Sequence, residues 1–111
     1  MHIDVYNYGN FIIDGRRYTS DIKIMRKQVI FWEAEYNNMT LDNVRDIVMS
    51  SPEVIIIGTG FSGMLKVPPV VREYIEKRNV ELIIEKTQEA CRLYNELSNI
   101  KEVAAIIHIK G

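Results

Sequence analysis

A single cysteine, Cys91, leaves this chain without an internal disulfide, and neither it nor the two histidines, His2 and His108, stand at a spacing that holds zinc. The scarcity of cysteine predicts a reducing, cytoplasmic setting, with no metal and no other cofactor. Charge of one sign is also missing: fourteen basic and fifteen acidic residues leave a formal net charge of −1. No overall field draws a polyanion, and the one basic cluster, Arg16-Arg17 with Arg26-Lys27, is diluted by Asp14 and Asp21, so no nucleic-acid partner is expected. Long apolar runs are absent as well. The densest, Val54 to Ile57, falls far short of the ~20 residues that span a bilayer, so no membrane partner is expected either. The opening residues, Met1 to Asn7, lack the basic and apolar stretches of a signal peptide, and the chain reads as starting almost directly at its domain.

What is present reads as one folded unit over residues 1–111, with 47% hydrophobic and 26% charged residues. Residues 1–36 read mainly as antiparallel strands. Phe11-Ile12-Ile13 is followed by the turn pair Asp14-Gly15, a strand from Arg17 to Met25, and another over Val29 to Trp32, which together make a meander. Alternation through Ile22-Lys23-Ile24 predicts one wet face. From residue 40 to 111 helices and strands alternate. Thr40 caps a helix bearing Leu41, Val44, Ile47 and Val48. Val54–Ile57 is the expected central strand, Pro68-Pro69 open a second helix with Val70, Val71, Tyr74 and Ile75 inward, and Asn79 stops it. Val80–Ile84 reads as a buried strand, Thr87 as the cap of a third helix, and Val103–Ile109 as a closing strand. The strands from 54 onward form a β-α-β-α-β unit, which requires parallel pairing, so the fold class is α/β with a mixed sheet and helices packed on it.

Gly58-Thr59-Gly60-Phe61-Ser62-Gly63 matches the G-x-G-x-x-G string of dinucleotide-binding loops and follows a predicted strand, with Glu85 where a ribose-binding carboxylate would sit. That mechanism needs a helix to open on the glycines, whereas Pro68-Pro69 delay it, so a tight turn at the carboxyl end of a parallel strand fits better. A second candidate is the start of the third helix, where Thr87, Cys91 and Arg92 lie near free amides that attract anions. Cys91 reads either as a nucleophile activated there or as a buried packing residue, the second being preferred. His2 reads as exposed, His108 as a sheet-surface residue, Trp32 as packing, and Glu33 with Glu35 as a solvated strand face. No complete acid–base or nucleophilic constellation is visible, so catalytic residues are unassigned, and the oligomeric state is not specified.

Two strings, Ile13-Asp14-Gly15-Arg16-Arg17-Tyr18 and Thr87-Gln88-Glu89-Ala90-Cys91-Arg92-Leu93-Tyr94-Asn95-Glu96-Leu97, with Ile57-Gly58-Thr59-Gly60 between them, carry a resemblance over nearly the whole chain. They are similar to a small domain-of-unknown-function family that includes an adipogenesis-associated protein and a mitochondrial complex I assembly factor. The resemblance implies a three-layer α/β fold with a hairpin-rich portion and no established reaction; for the mitochondrial member it implies a role in assembling a respiratory complex. The family's recurring positions fall on Gly58, Gly60, Thr87, Ala90, Arg92, Tyr94 and Asn95. The absence of an Arg/Ser-rich leader in this sequence argues against carrying over a mitochondrial address. The leading expectation is thus a non-catalytic interaction or assembly module with a protein partner. The alternative is a small-anion or metabolite site, or that of an uncharacterised enzyme, at Gly58, Thr59, Gly60, Thr87, Cys91 and Arg92; nucleotide binding comes third.

Overall fold

The structure is a computed structural model and describes residues 1–111. It begins with a three-stranded antiparallel sheet of order β1-β2-β3, made of β1 (Ile3–Asn7), β2 (Asn10–Ile13) and β3 (Arg16–Tyr18). The Asp14-Gly15 turn joins β2 to β3 with φ of 49° and 79°, the left-handed pair whose twist matches that of the flanking strands. Next comes a second hairpin, β4 (Ile22–Met25) and β5 (Gln28–Phe31), turned at Arg26-Lys27 with φ of 50° and 61°. The strand expected from Arg17 to Met25 is therefore two strands in two different sheets. The break falls at Thr19-Ser20-Asp21, where the Asp21 side chain binds the far end of the chain.

The second sheet has five strands in the order β5-β4-β8-β6-β7, adding β6 (Val54–Gly58), β7 (Glu81–Glu85) and β8 (Val103–Ile107). β6 runs parallel to both β7 and β8, whereas β4 is antiparallel to β8. The sheet is mixed, as alternating strands and helices after a meander require. Its middle place, however, belongs to β8 and not to Val54–Ile57, and β7 is a half-buried edge rather than a covered strand.

Three helices, α1 (Leu41–Met49), α2 (Pro69–Glu76) and α3 (Thr87–Leu97), cover this sheet. In α1 the Asn43 side chain accepts the Thr40 N–H at 2.8 Å, closing the first turn. α2 starts with Pro69 in its first turn, where a missing N–H costs nothing. Its inward face is Val71 and Ile75, while Val70 is exposed, so the expected inward stripe is narrower than its four residues. Asn79 takes φ 58° just after the helix.

Alternate residues of β6 and β8 feed two cores. On one face Val54, Ile56 and Ala105 meet α3 and the three-stranded sheet through Phe11, Ala90 and Tyr94. On the other, Ile55, Ile57 and Ile106 meet α1 and α2 through Val44, Ile47 and Ile75. The result is three layers. Both faces of β4 are covered, so the wet face expected at Ile22-Lys23-Ile24 is absent: Lys23 is buried against α1, its Nζ 2.9 Å from Asp46 Oδ1. Asn95 on α3 clamps the first strand by accepting the Ile3 N–H and donating to the Ile3 carbonyl, both at 2.8 Å.

Candidate functional site

The carboxyl ends of the parallel strands gather at one edge of the sheet, which is where α/β folds hold ligands. Thr87 sits at the centre of the contacts there, fully buried. It is the first residue of α3, with Lys86 in the capping position, so it does not cap the helix as its sequence context suggests. Its hydroxyl instead accepts the Gly60 N–H at 2.8 Å and donates to the His108 carbonyl at 2.7 Å. The Thr87 N–H returns to the Gly60 carbonyl at 3.1 Å, and the His108 N–H bonds the Gly58 carbonyl at 2.9 Å. One side chain thereby ties the ends of β6, β8 and α3 together.

The two glycines serve this closure. A Cβ on Gly58 would stand 3.0 Å from Thr87 Oγ1 and 3.2 Å from the Ala90 methyl. Gly60 has φ 105°, and a Cβ there would lie 2.5 Å from the Lys110 carbonyl oxygen and 3.0 Å from the His108 ring. Thr59 is buried, with both its N–H and its hydroxyl directed at the Glu85 carbonyl. From Phe61 to Val67 there is no helix, so none opens directly on the glycines as a dinucleotide loop requires.

His108 is nearly buried rather than lying on the sheet surface. Its Nδ1 is 3.0 Å from Asp21 Oδ2, and the side chains are 12% and 10% exposed. Asp21 Oδ1 also accepts the Ile109 N–H at 2.7 Å, so this carboxylate fixes both the backbone and the ring. An ionised carboxylate can only accept, so the hydrogen of this bond sits on Nδ1. The pair forms the floor of a cavity of about 630 Å³ walled by Phe31, Trp32 and Ala34 and rimmed by Ser20 and Glu33. Trp32 is held by its Nε1–H on the Ile22 carbonyl at 3.1 Å.

Of the residues singled out in the sequence, Gly58, Thr59, Gly60 and Thr87 come together. Cys91 and Arg92 lie one turn further along α3 and take no part in these side-chain hydrogen bonds. Cys91 is buried in the core, and desolvation pushes its thiol up to about 12, which leaves it protonated at neutral pH. Arg92 is exposed and paired with Glu89 and Glu96 along the helix. His2 is exposed beside Asp4, and Glu33 and Glu35 lie beyond the end of β5 rather than on a strand face. The Asp21–His108 pair was beyond sequence reasoning because 87 residues separate its members. The one available signal was an acidic residue interrupting a predicted strand.

Close by, Tyr8, Phe61 and Met64 expose 59%, 53% and 55% of their surface. Tyr8 and Phe61 meet edge to face at 5.7 Å, and the Met64 N–H bonds the Gly111 carbonyl at 3.0 Å. Gly9, next to Tyr8, donates to the Ile109 carbonyl, which brings this apolar group beside the His108 strand end.

A family model described as protein of unknown function (DUF498/DUF598) matches residues 3–108. The NADH dehydrogenase (ubiquinone) 1 alpha subcomplex assembly factor 3 of Bos taurus is 27% identical, over all of this chain and 62% of its own length. The same-named protein of Xenopus tropicalis is 24% identical over 95% of this chain and 58% of its own. The chain thus spans about three-fifths of the length of these relatives. Among solved structures, the conserved hypothetical protein PH1505 from Pyrococcus horikoshii OT3 superposes with a TM-score of 0.91 at 26% identity, covering both chains fully.

Proposed function

This chain belongs to the DUF498/DUF598 family of proteins of unknown function, and from that premise we propose that it is a non-catalytic assembly module that docks a protein partner at the carboxyl end of its sheet. The observation that carries this reading is the exposed group Tyr8, Phe61 and Met64. Aromatic and methionine side chains bury large apolar area, and the cores of interfaces are enriched in them. The names of the Bos taurus and Xenopus tropicalis relatives, both assembly factors, support the same role. A photo-cross-linking residue in place of Phe61 is expected to trap a discrete protein adduct in the native cell, while the same residue at Ile100, 74% exposed in the loop between α3 and β8, traps none. Equal adducts at both positions, or none at Phe61, would refute the assignment.

A second reading rests on the Asp21–His108 cavity, where a fixed imidazole, hydroxyl groups and aromatic walls suit a small polar metabolite or anion. It moves the ligand from the start of α3, where the Thr87 hydroxyl is already engaged, to the neighbouring strand end. A thermal-shift series with phosphate and small carboxylates is expected to give a saturable rise in melting temperature that His108→Ala removes. Flat curves for the intact chain would dismiss it.

A further inference from the structure

We propose that two copies of this chain pair edge to edge through β5, antiparallel and symmetric about Ile30. The argument starts from the free edges of the two sheets. β1 carries a register irregularity between Ile3 and Val5, and the Asn95 side chain takes up the Ile3 backbone groups. β3 presents Arg16 and Arg17, and β7 has an exposed glutamate at each end. Charges and bulges of this kind are what keep sheet edges from pairing. β5, Gln28-Val29-Ile30-Phe31, has no charge, no proline and no bulge. It alone is left unguarded.

The backbone of β5 is set for pairing. A two-residue turn makes Met25 and Gln28 a hydrogen-bonded pair, and antiparallel bonding then alternates along the hairpin. The Trp32 N–H on the Asp21 carbonyl, 3.3 Å, continues that alternation. The N–H and C=O groups of Val29 and Phe31 therefore point away from β4, toward no neighbour. The side chains around them are apolar and open: Ile30 is 38% exposed, Phe31 64%, and Met49 at the end of α1 77%.

The flanking charges select the occupant. Arg26 and Lys27 stand at one end of β5, and Glu33 and Glu35 follow the other. Antiparallel pairing about Ile30 sets Val29 of one copy opposite Phe31 of the other, sharing both outward bonds, and Ile30 opposite Ile30. Continued outward, the same register brings Lys27 of one copy to Glu33 of the other, twice over by symmetry. Parallel pairing would set basic ends against basic ends. An isologous contact must be self-complementary, and this strand has that property. Because Glu33 rims the Asp21–His108 cavity, the basic turn of the second copy would also stand at the mouth of that cavity.

Four strand residues a side make a small interface, so the dimer is expected to be weak, with a dissociation constant of about 10–100 μM. Sedimentation equilibrium of the full chain over a range bracketing those values is the test. Ile30→Lys, which opposes two like charges at the symmetry axis, is expected to give a monomer with an unchanged circular dichroism spectrum. Lys27→Glu and Glu33→Lys are each expected to weaken association about tenfold, and the double reversal to restore it to within about threefold. Should Ile30→Lys fail to fold, the charge-reversal set decides alone. A chain that stays monomeric throughout, a dimer that survives Ile30→Lys, or a double reversal without recovery would overturn the proposal.

Discussion

Replacing Gly60 with alanine is expected to lower the unfolding free energy by roughly 3 kcal/mol, combining the strain of a left-handed backbone with overpacking. Two independent penalties meet at this residue. Its φ of 105° lies where side chains rarely go, and the new methyl would stand 2.5 Å from the Lys110 carbonyl oxygen and 2.7 Å from the Gly111 carbonyl carbon. Neither neighbour is the tip of a flexible side chain. The backbone from His108 onward must shift, and the Met64 bond to Gly111 goes with it. A melting midpoint lowered by roughly 12 °C in calorimetry is the expected readout for a chain of this size. A drop under about 2 °C would mean that the terminal segment is not seated against Gly60 as described.

The second large effect is at Thr87. Valine has the same shape but no hydroxyl, so Thr87→Val strands the Gly60 N–H and the His108 carbonyl at a buried position. At about 1–3 kcal/mol for each stranded group, the expected loss is roughly 3 kcal/mol. Thr87→Ser keeps the hydroxyl and gives up only a methyl, a loss of about 1 kcal/mol. Denaturant unfolding separates the two through their midpoints, and hydrogen exchange at the Gly60 amide gives a local check. If valine and serine cost the same, the hydroxyl bridge is not what holds the three element ends.

Elements declared by local chemistry were readable from the sequence. Asp14-Gly15 turned where expected because both residues tolerate positive φ, and Pro68-Pro69 placed the start of α2 far enough from the glycines to argue against a dinucleotide loop. Alternation of strands and helices after residue 54 implied the parallel pairing that is found. What escaped was decided by long-range partners. The break of the expected Arg17–Met25 strand at Thr19-Ser20-Asp21 carries no glycine or proline to announce it. Lys23 reads as a wet position until α1 supplies Asp46 across the sheet. Thr87 reads as a helix cap because threonines before helices usually are, yet its two hydroxyl partners lie 27 and 21 residues away. The same holds for Asp21 and His108, whose pairing depends on the whole topology. The apolar group likewise joins Tyr8 to a distant loop that carries Phe61 and Met64, and neither segment announces the other in the sequence.

The place of β8 between β4 and β6 has a consequence for how this protein is made. A ribosome releases the β4–β5 hairpin and the β6–α2–β7 unit long before residues 103–107 leave the exit tunnel. Those two pieces have no ladder to each other until β8 arrives. During translation they are separate, incomplete sheets with open edges, and the nascent chain waits for its keystone strand. Stalling synthesis before residue 103 should therefore leave a chain that proteases digest readily, and a stall placed well past residue 111 should protect it in a single step.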